Sequence, residues 1–353
     1  MNELLDFFKE KYPGMATRDD KISYYTSFEE EYRSINKEVV IRALNKNGVV
    51  KLAGEEAIDF LHRISTNEIS SLKENERRNT LLTNEKGRFI DRVTLFRFRD
   101  SVLILTGTEK GDFVSAWLER YIIMEDLTVE NLSQDYAVLE FLGPQAESYL
   151  TSIFGKAIDL INESRFIHLN FEKANVVLAK LEYLPGTHRY TVIIPSENQR
   201  EILELLLGNN SLFDVKMCGD DAYNLYRIEH KIPGNLEELS DKFNPHEANL
   251  IHEVSFTKGC YIGQEVIARL DTYDKVQKKL VRIKTETNYD TLPAQLVDAD
   301  GSDAGILTSI TRVSLNGKFV GLAYIRKKFL ENCSKLYIDD DDDILIELCD
   351  KQA

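Results

Sequence analysis

The chain reads as an α+β protein of several domains, and three observations say so. Strand-like and helix-like segments follow one another in mixed order, with hairpins, not as the regular strand–helix repeat of a doubly wound sheet. From Lys279 onward the pattern changes to short strands and turns, as in a small β-barrel. The 353 residues are also more than one simple core accommodates.

Residues 1–45 are polar and helix-like, with aromatic residues at Tyr24, Tyr25 and Phe28, and read as a lead-in packed outside the first domain. A first α+β domain is expected over 46–135. Val49–Gly54 is a strand that stops at glycine, and Glu55–Ile64 has its apolar residues at helical spacing. Thr80–Thr83 and Phe89–Phe96 flank Asn84-Glu85-Lys86-Gly87-Arg88, a hairpin signal in which Gly87 suits a left-handed turn position. Val102–Leu105 follows as a strand and Asp112–Ile123 as a helix. A second α+β domain is expected over 136–278, with strands at Tyr136–Leu142, Val176–Leu181 and Tyr190–Ile194 and a helix at Gln199–Leu207. The barrel takes 279–353, with strands at Val281–Ile283, Gly305–Ile310 and Val320–Ile325. The Asp339–Asp343 run reads as a charged turn between two more strands.

Bulk properties exclude several function classes. The formal net charge is −15, which repels a phosphate backbone, so tight direct nucleic-acid binding is not expected; a small anion could still enter a local basic pocket. The N-terminal residues have neither a basic start nor a long apolar run, and no stretch approaches a membrane span, so a cytoplasmic protein with no membrane association is expected. The four cysteines, Cys218, Cys260, Cys333 and Cys349, are far apart and unpaired in sequence, which fits a reducing compartment and argues against a self-contained metal site. His246 and His252 are six residues apart, too far round a helix to share one zinc. No metal ligand is assigned. No glycine-rich nucleotide loop of the common kinds occurs.

The most unusual stretch is Thr257-Lys258-Gly259-Cys260-Tyr261-Ile262-Gly263-Gln264-Glu265, with Arg269 beyond it. Two glycines bracket a thiol that directly follows a lysine and its glycine. Gln264–Leu270 has a helical pattern, and a helix starting there would turn its free N–H groups back toward the loop. That dipole end and Lys258 would both favour a thiolate at Cys260. Two readings stand: a reactive cysteine at a ligand cleft, or a small buried thiol filling a gap beside a turn. Upstream, Arg227-Ile228-Glu229 closes a helical segment before Pro233-Gly234. A carboxylate at a helix end can take two hydrogen bonds from an amino-pyrimidine edge, or it can be a surface ion-pair partner.

The Lys258–Glu265 loop with Arg269 resembles the signature of YgfZ-like proteins. Arg227-Ile228-Glu229 with Pro233, and Asn244-Pro245-His246-Glu247-Ala248-Asn249-Leu250, resemble the core of the glycine-cleavage T-protein superfamily. Ser65-Thr66-Asn67, Lys86-Gly87-Arg88 with Asp91, Leu142-Gly143-Pro144, and Gly305 with Thr308-Ser309 and Gly321-Leu322-Ala323 continue the likeness in order. The resemblance implies a three-domain cloverleaf with a C-terminal barrel, and tetrahydrofolate as the cofactor. It implies a monomeric accessory protein for assembly or repair of iron–sulfur clusters, partnered with iron–sulfur proteins or their assembly machinery and linked to tRNA thiomodification. The alternative it leaves is a folate-dependent aminomethyltransferase of the glycine-cleavage type. By the same resemblance Cys260 is the functional thiol, Lys258 and Gln264 shape its loop, Glu229 binds the pterin with Arg227, Gln264 and Tyr261 as further cofactor-binding residues, and Asp91 falls at the acidic position beside the reactive folate nitrogens. T proteins usually show two adjacent acids there, whereas here Asp91 is followed by Arg92.

Overall fold

The computed structural model describes residues 2–44, 46–181, 188–208, 212–273, 275–332, 335–339 and 341–349. Contacts divide the chain into two compact units. The first comprises Met1–Leu61, Ile69–Asn79 and Val93–Tyr223; the second comprises His62–Glu68, Thr80–Arg92 and Asn224–Ala353. Cys333 and Asp340 lie outside the described residues; of the acidic run expected as a turn, Asp341–Asp343 belong instead to the strand Asp341–Leu348.

In the first unit a six-stranded sheet has the order Phe166–Phe171, Ala174–Lys180, Arg189–Pro195, Tyr136–Leu142, Val39–Leu44, Val215–Met217. All its ladders are antiparallel except the last, where Val215 pairs with Val39 in parallel. Residues 2–44, polar as they are, therefore supply a strand inside this sheet as well as the helices Asn2–Lys11 and Phe28–Lys37. The side-chain period of two divides the apolar residues between two cores. Leu139 and Phe141 face one way, with Phe8, Tyr149, Leu203 and Leu206 from helices. Val138, Val177 and Ile193 face the other way and meet Val49, Phe96, Leu103 and Leu105. The last four stand on a five-stranded sheet ordered Arg77–Thr83, Phe89–Arg97, Ser101–Thr108, Asn47–Ala53, Thr128–Asn131. The expected hairpin, whose residues Thr80–Arg92 belong to the second unit, is present, with Gly87 at φ +66° and the Asn84 side chain accepting from the N–H groups of Lys86 and Arg88.

The second unit contains the C-terminal barrel expected from the sequence. Its six strands close in the order Lys278–Thr285, Phe319–Arg326, Asp303–Ile310, Ala294–Val297, Lys335–Ile338, Asp341–Leu348. Ile283, Leu307, Ala323, Ile325 and Ile346 fill the interior. The alternate residues Leu280, Leu322 and Tyr324 point outward and are covered by Leu81, Phe89, Ile228, Phe243, Tyr261 and Ile267. Phe243 stacks on Tyr324 with ring centroids 3.6 Å apart. This outer cluster carries the cysteine loop. Among the described residues, no helix is long and apolar enough to cross a membrane.

One buried acid in the first unit makes stability depend on pH. The Glu31 carboxylate accepts N–H bonds from Tyr25, Thr26 and Gly219 and is fully buried. Burial pushes its carboxyl up to about 7, against those three donors, which favour the charged form. A folded-state value above the unfolded one means the native protein holds this proton more tightly. The resulting stability is complete below the ordinary carboxyl range and is lost as pH rises toward 7. Glu31→Gln should flatten that part of the profile, as read from urea midpoints between about pH 4 and pH 8.

Candidate functional site

The loop with the thiol is built from anchored residues on either side of an exposed one. Lys258 is 8% exposed, and its ammonium donates to the carbonyl oxygens of His62, Ser65 (2.7 Å) and Asn67 (2.7 Å). An ammonium has three donors, so this cage of main-chain oxygens takes all of them. Burial lowers its pKa to about 8, with Glu68 pulling the other way, so at neutral pH the group is still mainly charged. The sequence places Lys258 as the neighbour that ionises Cys260; the structure commits its charge to the 62–67 segment instead.

That segment is itself fixed. Thr66 pairs with Leu81 through its N–H (3.0 Å) and accepts the Leu81 N–H at its hydroxyl (3.2 Å), while the same hydroxyl donates to the Glu253 carbonyl at 2.8 Å. The Ser255 N–H donates to the Thr66 carbonyl at 2.9 Å. Beyond the cysteine, Tyr261 is buried in the cluster on the barrel's outer face, with the Lys258 ammonium 5.3 Å from its ring centroid. Burial pushes the Tyr261 hydroxyl up to about 12, and that hydroxyl has no hydrogen-bond partner among the described residues.

The helix expected after the loop runs from Gln264 to Thr272. Its N-cap, Gly263, has φ +81°, and a Cβ there would lie 2.5 Å from the Asn84 carbonyl oxygen, so glycine is required twice over. The Thr83 hydroxyl donates to the Ile262 carbonyl at 2.7 Å, fixing the same turn to the hairpin. Gln264 is half-buried at the helix start. Cys260 is exposed, which answers the sequence-level alternative of a gap-filling buried thiol; Cys218, by contrast, is buried. A cavity of about 150 Å³ is lined by Val266 and Leu270 of this helix.

The other expected residues fall in distinct environments. Glu229 ends the helix Asp220–Glu229, is half-buried, and accepts from the Arg282 guanidinium at its main-chain carbonyl (3.0 Å). Arg227 turns inward, donating to Glu238 at 2.9 Å and to the Ser309 hydroxyl at 2.7 Å. Asp91 is fully buried on the strand Phe89–Arg97. Arg92 beside it clasps Glu253 through two edges, with Nε at 3.0 and 2.9 Å from the two carboxylate oxygens and Nη2 on one of them.

Sequence reading missed the buried acids Glu238 and Glu253. Glu238 accepts from Arg227, from the Gly234 N–H (2.6 Å), and from the hydroxyls of Thr308 and Ser309 (2.6 Å each). Glu253 stands between His252 and Val254, and nothing in its immediate sequence marks the carboxylate as buried. His246 Nε2 lies 3.0 Å from the Ile267 carbonyl, and no cluster of acids, histidines and cysteines able to hold a metal occurs among the described residues.

A family profile described as the GCVT N-terminal domain matches residues 7–258. The chain is 25% identical to an aminomethyltransferase of Halalkalibacterium halodurans, over 87% of this chain and 84% of that protein. It is 24% identical to a putative chloroplastic transferase of Arabidopsis thaliana, over 89% of this chain and 72% of that protein. Among solved structures, the glycine cleavage system aminomethyltransferase T from Bartonella henselae matches with a TM-score of 0.82 at 18% identity, covering 98% of this chain and 95% of that one. That likeness establishes the fold.

Replacing the caged ammonium should be costly. Lys258→Met strands three carbonyl oxygens and should destabilise the protein by about 1–3 kcal/mol in urea unfolding. Gly263→Ala should cost about 1–3 kcal/mol through its left-handed backbone and the Asn84 clash. An unchanged midpoint for either variant contradicts the anchoring described here.

Proposed function

Because this chain belongs to the GCVT family of glycine-cleavage T proteins, we propose that it binds tetrahydrofolate and acts, in the YgfZ-like manner, as an accessory protein for iron–sulfur cluster assembly or repair. The observation that carries this reading is an exposed Cys260 held between two anchored residues, Lys258 in its carbonyl cage and Tyr261 in the barrel's outer core. A thiol on a loop fixed at both ends meets a partner in one defined position, and as a thiolate it can ligate iron or exchange with a client's sulfur.

Three side chains carry groups suited to a pterin. Glu229 offers a half-buried carboxylate at a helix end, suited to the amino-pyrimidine edge. Tyr261 has a buried hydroxyl with no partner among the described residues, and it shares the outer barrel cluster with Ile228. Asp91 is a buried acid able to hold or orient a protonated ring nitrogen. When bound, the folate would supply a one-carbon carrier; Gln264 shapes the loop on which Cys260 stands. Arg227 acts at one remove, since its guanidinium holds Glu238.

Aminomethyl transfer is the second reading, favoured by the relatives that bear that name. The pairing of Arg92 with Glu253 argues against it. A buried guanidinium follows Asp91 where T proteins carry a second acid, and its charge is balanced by Glu253 rather than left to act on substrate. Folate-dependent release of ammonia from an aminomethylated lipoyl carrier tests this reading, and absence of turnover retires it.

Two measurements test the main proposal. In calorimetric titration with tetrahydrofolate, Glu229→Ala should bind at least about tenfold more weakly, as loss of a charged hydrogen bond of roughly 1.5–3 kcal/mol requires; equal affinities remove the pterin assignment. Cys260→Ala should keep wild-type folate affinity and lose the ability to restore cluster-enzyme activity under oxidative stress. Full restoration by that variant overturns the role of the thiol.

A further inference from the structure

The cavity of about 150 Å³ lies wholly within the second unit and holds polar groups that neither the thiol nor the pterin reading uses. Its wall includes Lys86 and Arg88 of the hairpin, Asn244 and Glu247 of the turn that leads to Leu250, and Val266 and Leu270 of the helix Gln264–Thr272. Lys275, also in the wall, is engaged elsewhere, with its ammonium 5.3 Å from the centroid of the Tyr273 ring.

Asn244 and Glu247 bond each other as in a capping box. The Asn244 N–H donates to Glu247 Oε2 at 3.1 Å, and the Glu247 N–H donates to Asn244 Oδ1 at 3.1 Å. The His246 N–H donates to the same Oδ1 at 3.1 Å, which decides which end of the amide is oxygen. Arg88 Nη1 donates to Glu247 Oε2 at 2.9 Å and to the Lys242 carbonyl at 2.9 Å. These bonds use one oxygen of the carboxylate, one end of the amide and one nitrogen of the guanidinium. Glu247 Oε1, Asn244 Nδ2, Arg88 Nε and Nη2, and the Lys86 ammonium have no hydrogen-bond partner among the described residues. Glu247 is 6% exposed and Asn244 4%, so their free atoms meet an occupant through the cavity that they line. A buried carboxylate oxygen without a donor is costly, and the cavity calls for a donor at that point.

Size and charge pattern narrow the ligand. The volume is about five times the ~30 Å³ that one water takes in the liquid, which suits roughly five to eight non-hydrogen atoms and is too small for a pterin or a nucleotide. Glu247 Oε1 accepts from a cationic donor, whereas Asn244 Nδ2, Arg88 and Lys86 donate to an anion. Val266 and Leu270 offer an apolar wall to an aliphatic group. A simple anion leaves Glu247 Oε1 unpaired, and a simple amine meets two cations. One small molecule that carries both charges on a short aliphatic body answers every group. We propose that this cavity binds a small aliphatic α-amino acid as its zwitterion, between alanine and valine in size, with the ammonium on Glu247 and the carboxylate toward Arg88 and Lys86. The site is separate from the residues assigned to the thiol and the pterin.

The test is calorimetric titration of the full chain with L-valine and with two analogues that each lack one of its charges, isovalerate without the ammonium and isobutylamine without the carboxylate. Valine should saturate one site with a Kd of about 1 mM or below, within what so few atoms supply. Each analogue should bind at least about tenfold more weakly, as loss of a charged hydrogen bond requires. Val266→Trp, at an exposed position, fills the cavity; it should lose at least about tenfold in valine affinity while its circular dichroism and thermal midpoint match the wild type. Should that variant unfold, Lys86→Glu on the exposed hairpin turn takes its place, with a loss of at least about tenfold again expected from charge reversal. Absence of saturable valine binding overturns the proposal, and so does full valine affinity in the folded variant. Equal binding of isovalerate also overturns it, because the cavity is then a simple anion site.

Discussion

A single buried ammonium organises the region around the thiol. Lys258 gives its three donors to the main-chain oxygens of His62, Ser65 and Asn67, so a stretch near residue 65 and a stretch near residue 260 are joined by one side chain. Carbonyl dipoles aimed at a cation are strong in a low-dielectric setting, and a buried cation without them would be costly. The demand runs both ways: the 62–67 segment has three oxygens to satisfy, and the lysine has a charge to stabilise. Cys260, two residues on, is exposed, while the chain on both sides of it is tied down.

The barrel supplies the other fixed point. Its strands are apolar on both faces: the inner residues fill the interior, and the outer ones, Leu280, Leu322 and Tyr324, need a cover. Tyr261 and Ile267 are part of that cover, so the barrel wall holds both the loop and the helix behind it. Glu238 adds a polar anchor. It gathers the Arg227 guanidinium, two barrel hydroxyls and a main-chain N–H, and the Tyr324 hydroxyl donates to its carbonyl at 2.9 Å. The anchors lie on either side of the exposed cysteine rather than at it.

Charge placement separates this chain from a simple acid site. Asp91 and Arg92 are neighbours on one strand, so their side chains leave it in opposite directions. Arg92 finds Glu253, and the two form a paired unit buried almost completely. Breaking such a pair leaves a charge without compensation, which is far more costly than never having it. The pair is thus held as a neutral unit on the face of the strand opposite Asp91.

Much of the fold was legible because it follows from periodicity. The Thr80–Phe96 hairpin with its left-handed Gly87, the helix after Gly263, and the short strands after Lys279 all rest on local rules of backbone and hydrophobic spacing. The oddness of the Lys258–Glu265 stretch, and its likeness to a known signature, were also local. What each charged side chain does was not local. The sequence shows a lysine two residues before a cysteine, yet the ammonium turns to carbonyls nearly two hundred residues away in the chain. It shows Arg227 beside a candidate pterin carboxylate, yet that arginine serves Glu238. Glu253 and Glu238 looked like ordinary acids until folding buried them. The sequence by itself determined the elements, the turn glycines and the barrel, because these depend on neighbours within a few residues. Only the tertiary structure decided which charges meet and that the thiol is exposed, because desolvation and pairing depend on whatever distant chain arrives to replace water.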